Sequence, residues 1–155
     1  MNNISTVILA AGKSTRFKHK NSKIFQDLAG LEVIEHVYRV AKKVSKKDVF
    51  FVCNKDNISI LKKKFNTAKF VLQKKQKGTA DAIEQVKKYV KSKNILILFG
   101  DTPLVEVKDI RKLVSKFKKS KEKASLTRSD VLKHSSANIE SNEFEAVHPV
   151  IRTHP

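Results

Sequence analysis

The feature that most constrains this chain is the repeated exchange of two hydrophobic periods. Val7-Ile8-Leu9-Ala10, Val49-Phe50-Phe51-Val52, Lys69-Phe70-Val71-Leu72 and Ile95-Leu96-Ile97-Leu98-Phe99 are short runs, most of them continuously apolar. A strand reads this way when both its faces are covered, as in the middle of a parallel sheet. Between them the spacing turns helical. Val33, Ile34, Val37, Tyr38, Ala41 and Val44 keep one helix face, as do Ile83, Val86, Tyr89 and Val90, and again Ile110, Leu113, Val114 and Phe117. A shorter helix is expected from Ile58 to Phe65. Strands alternating with helices imply right-handed crossovers and a three-layer α/β sandwich.

A chain of 155 residues with 40% hydrophobic content supports one sizeable core, hence one domain followed by a tail. The domain is read as residues 1–128. Ala124-Ser125-Leu126-Thr127 is a candidate fifth strand, but 129–155 is polar, without periodic helix, and is expected to be a divergent, poorly ordered tail in which Phe144, Val147, Val150 and Ile151 stand scattered. No apolar run approaches the roughly 18 residues of a bilayer span, and Met1-Asn2-Asn3 lacks the charged-then-apolar build of a signal peptide. The expected location is the cytoplasm. Cys53 is the only cysteine, so it reads as a small buried hydrophobe rather than half of a disulfide.

The formal charge of +18 raises the question of nucleic acid. Its placement answers in favour of a solvated surface. Lys42-Lys43, Lys46-Lys47, Lys62-Lys63-Lys64, Lys87-Lys88 and Lys118-Lys119 fall between apolar helix positions, and lysine greatly outnumbers arginine, whose planar fork suits specific phosphate and base contacts. A basic nucleic-acid-binding or scaffold role stays as the reading from a different class.

In an open parallel sheet, ligands bind beyond the carboxyl ends of the strands. After the first strand comes Ala10-Ala11-Gly12-Lys13-Ser14-Thr15-Arg16-Phe17. Small residues let the backbone approach a phosphate chain, and the hydroxyls, Lys13 and Arg16 add donors and positive charge. Gly12-Lys13-Ser14 imitates the end of a P-loop, but that motif would place a glycine at position 7, where this chain has Val7 inside a strand. The dinucleotide fingerprint also fails, since no glycine follows Gly12 before Gly30. Taken alone, the loop is equally a plain strand-to-helix turn.

Three segments together carry more. Ile8 to Phe17 with Lys23 and Leu28-Ala29-Gly30, then Val71-Leu72-Gln73 with Gln76 and Gly78-Thr79-Ala80-Asp81-Ala82, then Leu98-Phe99-Gly100-Asp101-Thr102-Pro103-Leu104, resemble the signature of the sugar-nucleotide and MobA-like NTP transferases. The best fit is the uridylyltransferase domain of the bifunctional UDP-N-acetylglucosamine pyrophosphorylase and glucosamine-1-phosphate N-acetyltransferase enzymes. The likeness covers roughly residues 4 to 118. It implies a three-layer α/β/α, Rossmann-like nucleotidyltransferase sheet, mostly parallel and incomplete at its C-terminal end.

The same resemblance implies a magnesium-dependent transfer of UMP from UTP to N-acetylglucosamine 1-phosphate, with release of pyrophosphate. Leu9 and the amides of Ala10, Ala11 and Gly12 would embrace the nucleotide. Arg16 would meet the β- and γ-phosphates, and Lys23 the α-phosphate, as the catalytic pair. Gln73 would read a pyrimidine edge, with Gly78 and Thr79 beside it at a helix start and Gly100 at the end of the last strand. Asp101 would bind Mg2+, a hard cation that prefers carboxylate and phosphate oxygens. Outside the resemblance, Lys23 is one more surface lysine, Asp101 a turn residue or N-cap, and Gln73 a loop amide. His19, His36, His134, His148 and His154 are too scattered for a metal site.

Two departures follow. Ser22 stands where the family usually has proline, and nothing between Ala124 and Pro155 resembles the family's acceptor-binding half. A relative acting on another nucleotide or acceptor is the second reading within the same fold. Oligomeric state is not legible.

Overall fold

The computed structural model of the protein describes residues 4–12, 22–46, 48–75, 78–119 and 150–152. Along the chain run β1 (Ile4–Leu9), a 3-10 turn (Lys23–Phe25), β2 (Asp27–Leu28), β3 (Leu31–Glu32), α1 (Val33–Ser45), β4 (Val49–Cys53), α2 (Ile58–Lys64), β5 (Lys69–Leu72), α3 (Thr79–Lys87), β6 (Asn94–Phe99), α4 (Val107–Lys119) and β7 (Val150–Arg152). Five strands form one sheet in the order β5-β4-β1-β6-β7. Its first four members are parallel, and β7 joins β6 antiparallel, with Ile151 opposite Ile95.

The unbroken apolar runs are explained by two cores that share each strand. Successive residues point to opposite faces. Ile8, Phe51, Cys53, Leu96 and Leu98 pack with Ile34, Val37 and Ala41 of α1, Leu61 of α2, and Ile110 and Val114 of α4. Val7, Phe50, Val52, Ile95 and Ile97 pack with Ala82 and Val86 of α3 on the other side. Each fully buried Ile, Leu or Phe contributes about 1.5–3 kcal/mol by leaving water, so a polar residue on either face of β1, β4 or β6 is disfavoured. Two exceptions near the start of β1 are paired. Thr6 Oγ1 lies 2.6 Å from Ser45 Oγ, and Ser5 Oγ donates to the Asp48 carboxylate. Phe51 anchors an aromatic cluster, stacked on Phe70 at 5.5 Å and on Phe65 at 5.1 Å.

Two local readings change and one turn is added. Tyr89 does not continue the apolar face of α3: the helix ends at Lys87 and the ring is 54% exposed, while Val90 folds back under cover. The segment after 128, expected to hold no element, supplies β7, whose short apolar pairing with β6 is a tertiary contact that three residues of sequence do not announce. Leu28-Ala29-Gly30 is the tip of a hairpin: Leu28 pairs with Leu31, and Ala29 and Gly30 take φ of 54° and 80°, the twist that suits a two-residue turn. The candidate strand at 124–127 lies outside the described residues.

Candidate nucleotide site

The strand order reverses between β1 and β6: from β1 the chain goes out to β4 and β5, then returns to the far side of β1 as β6. A crevice at the carboxyl ends of such a pair is where the fold leaves backbone groups open to a ligand. The loops here are bound side by side. Ala10 N–H donates to Val52 O at 2.8 Å, Gln73 N–H to Cys53 O at 2.8 Å, and Gly100 N–H to Leu9 O at 2.9 Å. One edge therefore carries Leu9 to Gly12, Asn54, Gln73 and Gly100-Asp101.

Lys23 and Asp101, far apart in sequence, come together here. Lys23 Nζ lies 2.6 Å from Asp101 Oδ2, with side chains 44% and 36% exposed. Lys23 is placed by its neighbours: Ile24 is buried in the core beneath the 3-10 turn, and Ser22 adopts φ −56° and ψ 140°, the backbone that a proline would impose. Val33 N–H to Gln26 O and His36 Nε2–H to Leu28 O, 2.8 Å, tie the turn and hairpin to α1, which accounts for that histidine structurally. Asp101 is held by a turn in which Thr102 Oγ1 donates to Phe99 O at 2.8 Å. A pair this exposed contributes only ~0–1 kcal/mol, so a phosphate or cation separates it cheaply.

Gly100 is required by space. A Cβ there would lie 2.9 Å from both Leu9 O and Ile34 Cδ1. Gly78 is required by conformation, with φ 104°, and caps α3, whose first residue is Thr79 as the sequence implied. Gln73 is not a loop amide in water: it is 5% exposed, and its Nε2 donates to Gly78 O at 3.1 Å and Asp81 Oδ2 at 2.7 Å. One expectation needs correction. The amide of Ala10 continues the sheet ladder to Val52 and is not available to donate to a ligand. Arg16, with Lys13, Ser14 and Thr15, lies outside the described residues, as does Gln76.

Two residues that the sequence reading passed over hold the loop in shape. Asn57, only 2% exposed, donates from Nδ2 to Ala10 O at 2.7 Å, and Asn54 Nδ2 reaches Ala11 O at 3.3 Å. They lock each other: Asn57 Oδ1 accepts from Asn54 N–H and Asn54 Oδ1 from Asn57 N–H. Asparagines bracketing a strand-to-helix turn are the signal that would have found them. Cys53 is fully buried as expected, and burial pushes its thiol up to about 12, against a weak opposing pull from Lys62. Among the described residues no three His, Cys, Asp or Glu side chains gather as a metal cluster.

A mostly parallel sheet between two helical layers, with a paired lysine and aspartate and a buried amide at its carboxyl edge, is the architecture of a nucleotidyltransferase-type α/β domain. The chain belongs to the MobA-like NTP transferase domain family, whose model matches residues 6–151. It is 40% identical over 119 residues to the bifunctional protein GlmU of Buchnera aphidicola subsp. Schizaphis graminum, covering 76% of this chain and 26% of that protein. It is 32% identical over 112 residues to GlmU of Clostridioides difficile, covering 72% and 24%. The chain thus spans about a quarter of the length of these relatives. Solved structures share the fold. The bifunctional IspDF from Campylobacter jejuni matches with a TM-score of 0.68 at 19% identity, over 98% of this chain and 41% of that one. CMP:2-keto-3-deoxy-manno-octonic acid synthetase complexed with CTP matches with a TM-score of 0.64 at 22% identity, over 76% and 48%. No helix among the described residues is long and apolar enough to cross a membrane.

Proposed function

We propose that this chain forms the nucleotide half of a uridylyltransferase site that transfers UMP from UTP to N-acetylglucosamine 1-phosphate. The observation that carries the reading is the meeting of Lys23 and Asp101 at the β1–β6 crevice, 2.6 Å apart beside the Ala10-Ala11-Gly12 loop. A cation and a carboxylate so placed suit a substrate that brings phosphates and a metal together. The resemblance of the three motifs to the uridylyltransferase domain favours uridine and an amino-sugar phosphate over other pairs.

In the reaction, an oxygen of the sugar 1-phosphate attacks the α-phosphorus in line. Its new P–O bond forms as the bond to the β-phosphate bridging oxygen breaks, and pyrophosphate leaves with that electron pair. Lys23 sits to neutralise charge on the α-phosphate oxygens, with Arg16 assigned to the departing phosphates. The Ala11-Gly12 stretch, shaped by Asn54 and Asn57, keeps the phosphates close to the backbone. Gln73 and Gly78 border the base.

Asp101 fits the way magnesium is commonly held, by one or two carboxylates completed with substrate phosphate oxygens. Mg2+ bound there supplies charge neutralisation and orientation of the phosphates. Incubation with labelled UTP, Mg2+ and N-acetylglucosamine 1-phosphate, followed by pyrophosphate release, tests the reading. Release that disappears in Lys23→Ala and Asp101→Ala supports it; UTP binding without release restricts the chain to the nucleotide half, and no binding at millimolar UTP refutes it.

A further inference from the structure

We infer that Asp81 governs which base this site accepts, by fixing which atom of the Gln73 amide is left to face it. The inference rests on the nucleotide reading above and adds a positioning residue to it.

Gln73 follows β5 directly and is almost fully buried, so its amide has few orientations. Its two N–H groups are both used: Nε2 donates to Gly78 O at 3.1 Å and to Asp81 Oδ2 at 2.7 Å. Those partners are a peptide carbonyl and a carboxylate, neither of which can donate. Turning the amide over would set Oε1 against two oxygens, lose both hydrogen bonds and gain none. The chemistry of the partners therefore dictates the orientation, whichever way an amide is drawn. Oε1 is the group left over. No described residue donates to it, and the only sealed, unpartnered side-chain oxygen or nitrogen among the described residues is Glu32 Oε2, so Gln73 Oε1 is open to a ligand.

Set against the ring nitrogen of a pyrimidine, a lone acceptor selects the base that carries a proton there. Uracil offers N3–H there. Cytosine presents a bare N3, whose lone pair would oppose Oε1. A site committed to one hydrogen-bond partner rejects the analogue that lacks it, because its own polar group is then left unpaired. Gly78 O holds the same amide proton-donor end, but as backbone it is common to every variant; Asp81 is the side chain that sets the lock. The plainer role for Asp81 is a carboxylate in the first turn of α3, favoured by the helix dipole. That role affects stability and leaves base preference untouched.

The test measures Kd for UTP and CTP with Mg2+, in the wild-type chain and in Asp81→Asn and Asp81→Ala, with melting curves to confirm folding. The wild type is expected to bind UTP about tenfold or more tighter than CTP. In Asp81→Ala that ratio should fall toward one, chiefly through weaker UTP binding, since an amide held by Gly78 O alone can turn its N–H outward, whereas Asp81→Asn, whose Oδ1 still accepts from Gln73, should keep most of the preference. A uniform loss for both nucleotides, or an unchanged ratio, in the folded Asp81→Ala chain overturns the role of Asp81. Equal binding of UTP and CTP by the wild type overturns it as well, while the nucleotide reading stands. Failure of the wild type to bind either nucleotide removes both.

Discussion

Gly100→Ala is the most informative single change, because one added methyl group tests the packing and the site together. The new Cβ would lie 2.9 Å from Ile34 Cδ1 and 2.9 Å from Leu9 O, with Ala10 Cα at 3.7 Å. Neither close neighbour yields easily. Ile34 is fully buried in the core of α1, and Leu9 O belongs to the central strand and already accepts the Gly100 amide. Relief requires β6 to draw away from β1 at its carboxyl end by a few tenths of an ångström, and overpacking of this kind costs about 1–3 kcal/mol. At roughly 2–4 °C per kcal/mol for a chain of this size, a drop in Tm of about 4–8 °C is expected near the middle of that range. Asp101 is the next residue, so the same shift separates it from Lys23, and stabilisation by UTP with Mg2+ should weaken beyond the loss in Tm. Differential scanning calorimetry with and without nucleotide reads both effects. Adding Ile34→Val removes one of the two clashes, so the double variant should lose less than the sum of the singles by about 0.5 kcal/mol or more. A Gly100→Ala chain melting within about 1 °C of wild type, with full nucleotide stabilisation, would refute the close-packed crevice.

Asn57→Ala removes a donor to Ala10 O and an acceptor for Asn54 N–H in a buried setting, so a loss of about 1–3 kcal/mol is expected in urea unfolding, together with weaker UTP binding. Asn57→Asp, which keeps the acceptor and loses the donor, should show the binding defect; normal binding in both would mean that the loop holds its own shape. Asp101→Asn, by contrast, should leave unfolding free energy within about 1 kcal/mol of wild type and still reduce the Mg2+-dependent Tm gain from UTP. An unchanged gain would remove Asp101 from the site. Cys53 should resist thiol reagents until the chain unfolds. Its thiol is raised to about 12 when folded, against 9.0 for the free group, so stability is fully present below pH 9 and declines between pH 9 and about 12, as only the unfolded thiol ionises. Rapid labelling at pH 8 without denaturant would contradict that burial.

The strands, the main helices and the three-layer order were legible in sequence because burial on both faces leaves unbroken apolar runs such as Ile95 to Phe99, while burial on one face leaves the spacing of Val33 to Val44. Lys23, Gln73, Gly78 and Asp101 were legible only as parts of separate motifs. Nothing along the chain says that Lys23 meets Asp101, because that contact depends on β6 returning to lie beside β1. The hairpin at Ala29-Gly30, the outward turn of Tyr89 and the three-residue β7 were likewise decided by tertiary neighbours rather than by local period. Hydrogen-bond partners are the part that sequence omits most completely. Residue types alone left Gln73 with a donor and an acceptor to offer. Once Gly78 O and Asp81 occupy the donors, the acceptor remains, and which group the amide can offer becomes a property of the fold.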